Sequence, residues 1–225
     1  MRYLLTLLLG FLLGASVAGV GLYFNPFTQT GGPQPDAQDS VYTYGSPVTA
    51  ALAFTHGNLS RLPTSPLGIP ELWEGTINHG ALALLVLGSA DGSTNAIASR
   101  ISFPSEGTEL LLRGAVLTDH WLISVPGQGS LFVSAESNWW PFLRDTLIPT
   151  WYFDRPWLGP AVYAPTIGPG ADGKALVQGA TGAFAGRAGT AAERYRLEAF
   201  DDRVGPGQVQ AEIYWRLANE PTPAE

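Results

Sequence analysis

From Tyr3 to Phe24 the chain reads YLLTLLLGFLLGASVAGVGLYF, without one charged side chain. In lipid the backbone has to satisfy its own hydrogen bonds, so such a run has one outcome, a helix. At 1.5 Å per residue it is long enough to cross a hydrocarbon layer of roughly 30 Å. Arg2 precedes it, Tyr3, Tyr23 and Phe24 suit the two interfaces, and Asn25-Pro26 ends it. No further Lys or Arg occurs before Arg61. The positive-inside bias therefore keeps the amino terminus in the cytoplasm and places the remainder on the periplasmic side of a bacterial inner membrane. The competing expectation is a secretory signal peptide with Leu4 to Leu13 as its apolar core and a cut after Ser16-Val17-Ala18. Gly19 to Phe24 continue the apolar run past that cut, as an anchor requires. Both readings export the rest of the chain.

Gly10, Gly14 and Ala18 recur every four residues, so they share one helix face on which a second helix, from another copy or from an inner-membrane protein, can approach closely. The chain has no cysteine, which removes disulfides and an N-terminal lipid attachment. With 19 acidic and 12 basic residues scattered along it, it lacks the basic stripe that phosphate backbones need, and nucleic acid is excluded as a partner. The expected organisation is a transmembrane signal-anchor over 1–25, a Gly-, Pro- and Gln-rich tether over 26–46, one folded domain over 47–218 and a polar tail over 219–225.

Period two dominates that domain. Val209, Ala211, Ile213, Trp215 and Leu217 alternate with Gln208, Gln210, Glu212, Tyr214 and Arg216, which describes a strand with one wet face. Tyr195, Leu197 and Ala199 face in on the run before it, Arg194, Arg196 and Glu198 face out, and residues 190 to 218 form a hairpin. Further strands are expected at Val48–Phe54, Leu72–Ile77, Ala81–Leu87, Ala96–Phe103, Glu109–Leu117, Trp121–Val125, Ser130–Ala135, Trp151–Phe153 and Ala175–Gln178, separated by Gly-, Pro- and Asp-containing turns. The one soluble helix expected is short, Trp140 to Leu147. Many short strands with regular breaks make an all-β sandwich or barrel.

Residues 176 to 192, LVQGATGAFAGRAGTAA, place Gly179, Thr181, Gly182, Phe184, Gly186 and Gly189 in a strand, glycine-rich turn, strand pattern. This resembles the hairpin of the allene oxide cyclase and dirigent barrel superfamily. The resemblance implies an antiparallel barrel of about eight strands whose interior is either filled by side chains or holds a small apolar ligand. Family members either steer reactive hydrophobic intermediates or have no known activity. Read without the family, the glycines serve a tight reversal between paired strands, and Phe184 caps a barrel mouth. A phosphate loop is excluded, because the stretch lacks Gly-Lys-Ser/Thr and opens into a strand.

No reaction is named by a residue constellation. His56, His79 and His120 are far apart with no metal-ligand spacing, and no Gly-x-Ser-x-Gly elbow occurs. Neither a metal nor an organic cofactor is expected. Among Glu74, Glu109, Glu136, Asp145 and Asp154, Glu136 is the candidate acid, since it leads into Asn138-Trp139-Trp140 and a carboxyl against aromatic rings loses hydration. The densest feature is aromatic, with Trp139, Trp140, Phe142, Trp151, Tyr152, Phe153, Trp157 and Tyr163 close together among prolines. Trp139, Trp140, Trp151 and Trp157 are the candidate ligand-binding residues, either lining a mouth for an apolar or glycan ligand or forming a patch toward a partner or the bilayer. The expected function is a membrane-anchored binding or envelope-interaction module. The alternative is a cofactor-free isomerase or cyclase acting on a small hydrophobic substrate, which needs a polar acid or base inside an enclosed pocket.

Overall fold

The computed structural model describes residues 2–25, 32–45, 52–54, 81–90, 92, 95–203 and 205–218. Helix α1, Arg2–Tyr23, is apolar all round and exposed along its length, and its Tyr3–Tyr23 stretch is long and apolar enough to cross a membrane. Among the described residues eleven strands come after it: β1 Ser40–Gly45, β2 Leu52–Phe54, β3 Ala81–Ser89, β4 Asn95–Pro104, β5 Val116–Val125, β6 Gly129–Asn138, β7 Trp157–Tyr163, β8 Thr166–Gly168, β9 Ala175–Gly182, β10 Ala188–Asp201 and β11 Gly205–Leu217.

Eight of them close a ring in the order β1-β11-β10-β9-β6-β5-β4-β3, every pair antiparallel, and β1 returns to β3 through Tyr42↔Ser89 and Thr43↔Gly88. Closure removes the free edges of an open sheet. The chain therefore forms an all-β antiparallel barrel, one of the two architectures expected from its many short strands and the one implied by the resemblance of residues 176 to 192. Its core is the set of inward positions: Leu85 and Leu87, Ala96 and Ala98, Trp121 and Ile123, Leu131 and Val133, Val177, Ala191, and Ala211, Ile213 and Trp215. Phe184 joins that core and plugs the end formed by the β5–β6 and β9–β10 turns. Gly182, at φ +63°, turns the chain here, and a Cβ on it would stand 2.1 Å from the Gln128 carbonyl oxygen.

Four expectations need correction. The folded part does not wait for residue 47, because Ser40–Gly45 is a wall strand paired on both sides. Upstream of it, Arg216 binds Asp36 and Asp39, and the Tyr214 hydroxyl donates to the Pro33 carbonyl. A Gly- and Pro-rich composition reads as linker, yet Val41, Tyr42 and Tyr44 supply enough burial for a strand. Glu109–Leu117 is not one strand: the Glu109 carbonyl takes the N–H groups of Leu112, Arg113 and Gly114, which curls the segment before β5 begins at Val116. Trp151–Phe153 is helical, although aromatic triplets favour strands. It ends a helix, α2, that runs through Trp140–Phe142, a π turn Leu143–Leu147 and Ile148–Phe153. Pro149 has no N–H to return to the Asp145 carbonyl, and the π turn lies immediately ahead of it. Burial of Thr146 and Thr150 on one face, with the Thr146 hydroxyl 2.6 Å from that of Tyr163, fixes α2 against the barrel. Finally, β10 carries a bulge around Ala199, so Phe200 takes the inward place expected of Ala199. The expected strand Leu72–Ile77 lies outside the described residues.

The wall between β6 and β10 is built in two tiers. Near the Phe184 end it is β9; beyond that, β7 pairs with the second half of β10 and β8 with the last residues of β6. Residues 139–174 thus stand over the open end of the barrel and supply its upper rim.

Candidate functional site

Inward phase on the neighbouring strands β4 and β5 and on β10 across the ring from them places three charged side chains inside the barrel. Arg100 follows Ala96 and Ala98 on β4, Asp119 precedes Trp121 on β5, and Glu193 precedes Tyr195 on β10. All three are buried, Asp119 completely. Charges cannot be taken out of water without partners, and here they are matched. Both Arg100 Nε and Nη2 lie 3.0 Å from Asp119 Oδ1. The Ser102 and Ser137 hydroxyls each donate to Asp119 at 2.5 Å. The remaining Arg100 nitrogen, Nη1, is 3.2 Å from Glu193 Oε1 and also donates to the Tyr195 hydroxyl. Tyr195 in turn donates to Glu193 Oε1 at 2.5 Å, and the Tyr44 hydroxyl donates to the same oxygen. The guanidinium sits between two indoles, 5.1 Å from the Trp121 ring centre and 5.9 Å from that of Trp139.

These surroundings set the ionisation of the cluster. Burial pushes the Glu193 carboxyl from its ordinary value of 4.5 up to about 8, against the Tyr195 hydrogen bond, which pulls it down. At neutral pH it therefore carries its proton, and with three donors already on Oε1 that proton belongs on Oε2. Burial likewise raises the Tyr195 phenol well above its ordinary range, with the Arg100 charge opposing. For Arg100, burial lowers the pKa, but Asp119 and Tyr195 outweigh it and hold the guanidinium charged. The cluster is electrically balanced: one cation, one anion and a neutral carboxylic acid.

Above it lies a pocket of about 450 Å³. Its floor carries Arg100, Ser102, Tyr44 and Tyr195; its walls are Ala83, Leu85, Leu117, Leu197 and Val209; and Trp139, Phe142, Tyr163 and Phe200 form the rim. The volume suits a small molecule. The Trp139 indole N–H is buried and has no acceptor among the described residues. A second cleft of about 580 Å³ lies at the plugged end, outside the barrel, where Arg187 and Arg216 are already committed to Ala218, Asp36 and Asp39. Among the described residues no titratable group inside the barrel faces it, so the apolar pocket is the candidate site.

The four candidate tryptophans separate. Trp139 reaches the pocket, its ring 5.1 Å from that of Tyr195. Trp140 is half-buried at the start of α2, its indole N–H also without an acceptor among the described residues. Trp151 is 70% exposed on α2. Trp157 packs beside Leu197 and Phe200 and borders a shallow groove with Pro149 and Phe153 rather than the pocket. Glu136 belongs to the outer face of β6, where it pairs with Arg113; an ion pair at the rim replaces the aromatic packing expected of it. His120 is exposed, and His56, His79 and Glu74 lie outside the described residues. The candidates read from sequence do not include Arg100, Asp119, Glu193 or Tyr195. The signal for them is a charged residue in the inward phase of an otherwise apolar strand, most clearly Glu193 two before Tyr195. No protein-family model matches the chain, and no curated protein matches it.

Proposed function

We propose that the chain is a membrane-anchored barrel, facing the periplasm, that binds a small and largely apolar molecule bearing one uncharged polar group. The observation that carries this reading is the apolar pocket over a charge-balanced floor. An apolar body gains by leaving water for the Leu85, Leu117, Leu197 and Val209 walls. A carbonyl or hydroxyl on it meets the polar side chains of Arg100, Ser102, Tyr44 and Tyr195 at the floor. A second full charge would find no counter-charge, because Arg100 is matched by Asp119. The resemblance of residues 176 to 192 to allene oxide cyclase and dirigent barrels supports the same use of the interior.

Glu193 favours a second reading, proton-transfer catalysis without a cofactor. Its protonated carboxyl touches Tyr195, and Tyr195 lines the pocket. With the Glu193 carboxyl turned so that its Oε2 proton faces Tyr195, the Tyr195 hydroxyl can pass its own proton to one atom of a bound molecule and take the Glu193 proton. Return of a proton from another atom along the same path restores both groups and leaves an isomer.

The test is mass spectrometry of organic extracts from full-length protein purified in native membrane discs, comparing wild type with Ala83→Phe, which fills the pocket. The binding reading expects a small amphiphile enriched in wild type and absent from a variant of unchanged melting temperature. Identical extracts contradict it. If the bound compound is converted by wild type and only bound by Tyr195→Phe, the second reading stands.

A further inference from the structure

The end of the barrel that holds the pocket is also the end where α1 meets the domain. Asn25 donates from Nδ2 to the Leu111 carbonyl. Arg144 donates to the Tyr23 carbonyl at 3.4 Å, with its guanidinium 5.7 Å from the Tyr23 ring centre. Leu111 and Arg144 lie on the two connections, ahead of β5 and after β6, that flank Leu117 and Trp139 at the pocket. The last turn of α1 is thus held against the rim.

That rim is unusually apolar for a surface. Leu111 and Leu112 are 61% and 58% exposed on one connection, and on the other Trp151, Tyr152 and Phe153 are 70%, 73% and 57% exposed. Arg155 stacks on the Phe153 ring at 5.1 Å. Leucine with tryptophan, tyrosine and an arginine beside them is the side-chain chemistry of a bilayer interface, where rings sit at headgroup level and guanidinium meets phosphate. Soluble surfaces seldom expose such groups together.

We propose that this rim is a bilayer-contact surface: Leu110–Leu112 and Trp151–Phe153 rest in the headgroup layer of the membrane that α1 crosses, so the pocket opens toward lipid. The occupant is the lipid surface, because the rim is continuous with the end of the spanning helix. The proposal rests on α1 crossing the membrane and is independent of the molecule that fills the pocket.

The absence of cysteine makes a direct test simple. Single variants of the full chain, Leu111→Cys, Tyr152→Cys, Ala185→Cys at the plugged end and Val17→Cys within α1, are labelled with an environment-sensitive fluorophore and reconstituted in phosphatidylcholine vesicles. Doxyl groups on the lipids quench labels they reach. Labels at 17, 111 and 152 are expected to be quenched several-fold more than the label at 185. Quenching at 17 with 111 and 152 no more quenched than 185 overturns the rim contact and leaves α1 intact. Loss of quenching at 17 overturns the proposal at its first step. Labels at 111 and 152 that are shielded from aqueous iodide yet untouched by doxyl lipid overturn it in favour of a protein, such as a second copy, on this face.

Discussion

Glu193 shows how the interior has been tuned. The folded protein holds its proton more tightly than the unfolded chain, so the stability it contributes is complete below its ordinary value of 4.5 and declines as pH rises toward about 8. Glu193→Gln keeps the neutral shape at all pH. The melting temperature of wild type is therefore expected to fall between pH 5 and pH 8 by more than that of the variant, in parallel thermal scans. Asp119 has a different role. Its carboxylate is the counter-charge of a buried guanidinium, and removing one partner of a buried pair costs about 3–5 kcal/mol. Asp119→Ala is expected to be among the most damaging single changes, and Glu193→Gln at pH 6 close to neutral; equal losses in urea unfolding would contradict the assignment of charges. At this scale the sequence is only half legible. Period two identifies which side of a strand a residue occupies, and so marks Arg100, Asp119 and Glu193 as inward, but their mutual contact depends on strand neighbours far apart in the chain. Glu136 misleads for the complementary reason. The sequence places it beside tryptophans, whereas in space it lies on the outer face next to Arg113.

Among elements, β1 carries the most consequence. It is six residues long and bonds to β11 on one side and to β3 on the other, so it is the piece that turns a curved sheet into a ring. A chain that begins at residue 47 lacks it and exposes two edges; one that begins at Gly32 retains it. The shorter chain is expected to aggregate or remain unfolded, and the longer one to be a folded monomer, by far-ultraviolet dichroism and gel filtration. Equivalent behaviour would refute the closing role. The β10–β11 hairpin is legible in the sequence because both strands alternate cleanly. Trp151–Phe153 is not, since local propensity favours a strand there and tertiary burial of Thr146 and Thr150 decides for helix. β1 escapes a sequence reading because a short closing strand beside a polar stretch carries little periodic signal of its own.

For the whole molecule, the parts point one way along the chain: an apolar helix, a strap that docks on β11, and a closed barrel plugged by Phe184 at one end and open over a polar floor at the other. Uptake of an apolar molecule at this open end is the property on which the proposed function turns. Trp139 stands at the pocket and Trp121 beneath it, so a brominated medium-chain alcohol that enters will quench their fluorescence. In full-length protein held in lipid discs, saturable quenching is expected for wild type and is expected to be lost in Ala83→Phe at unchanged melting temperature. Quenching that rises linearly with probe and is the same in both proteins would show partition into lipid alone and would refute uptake by the barrel.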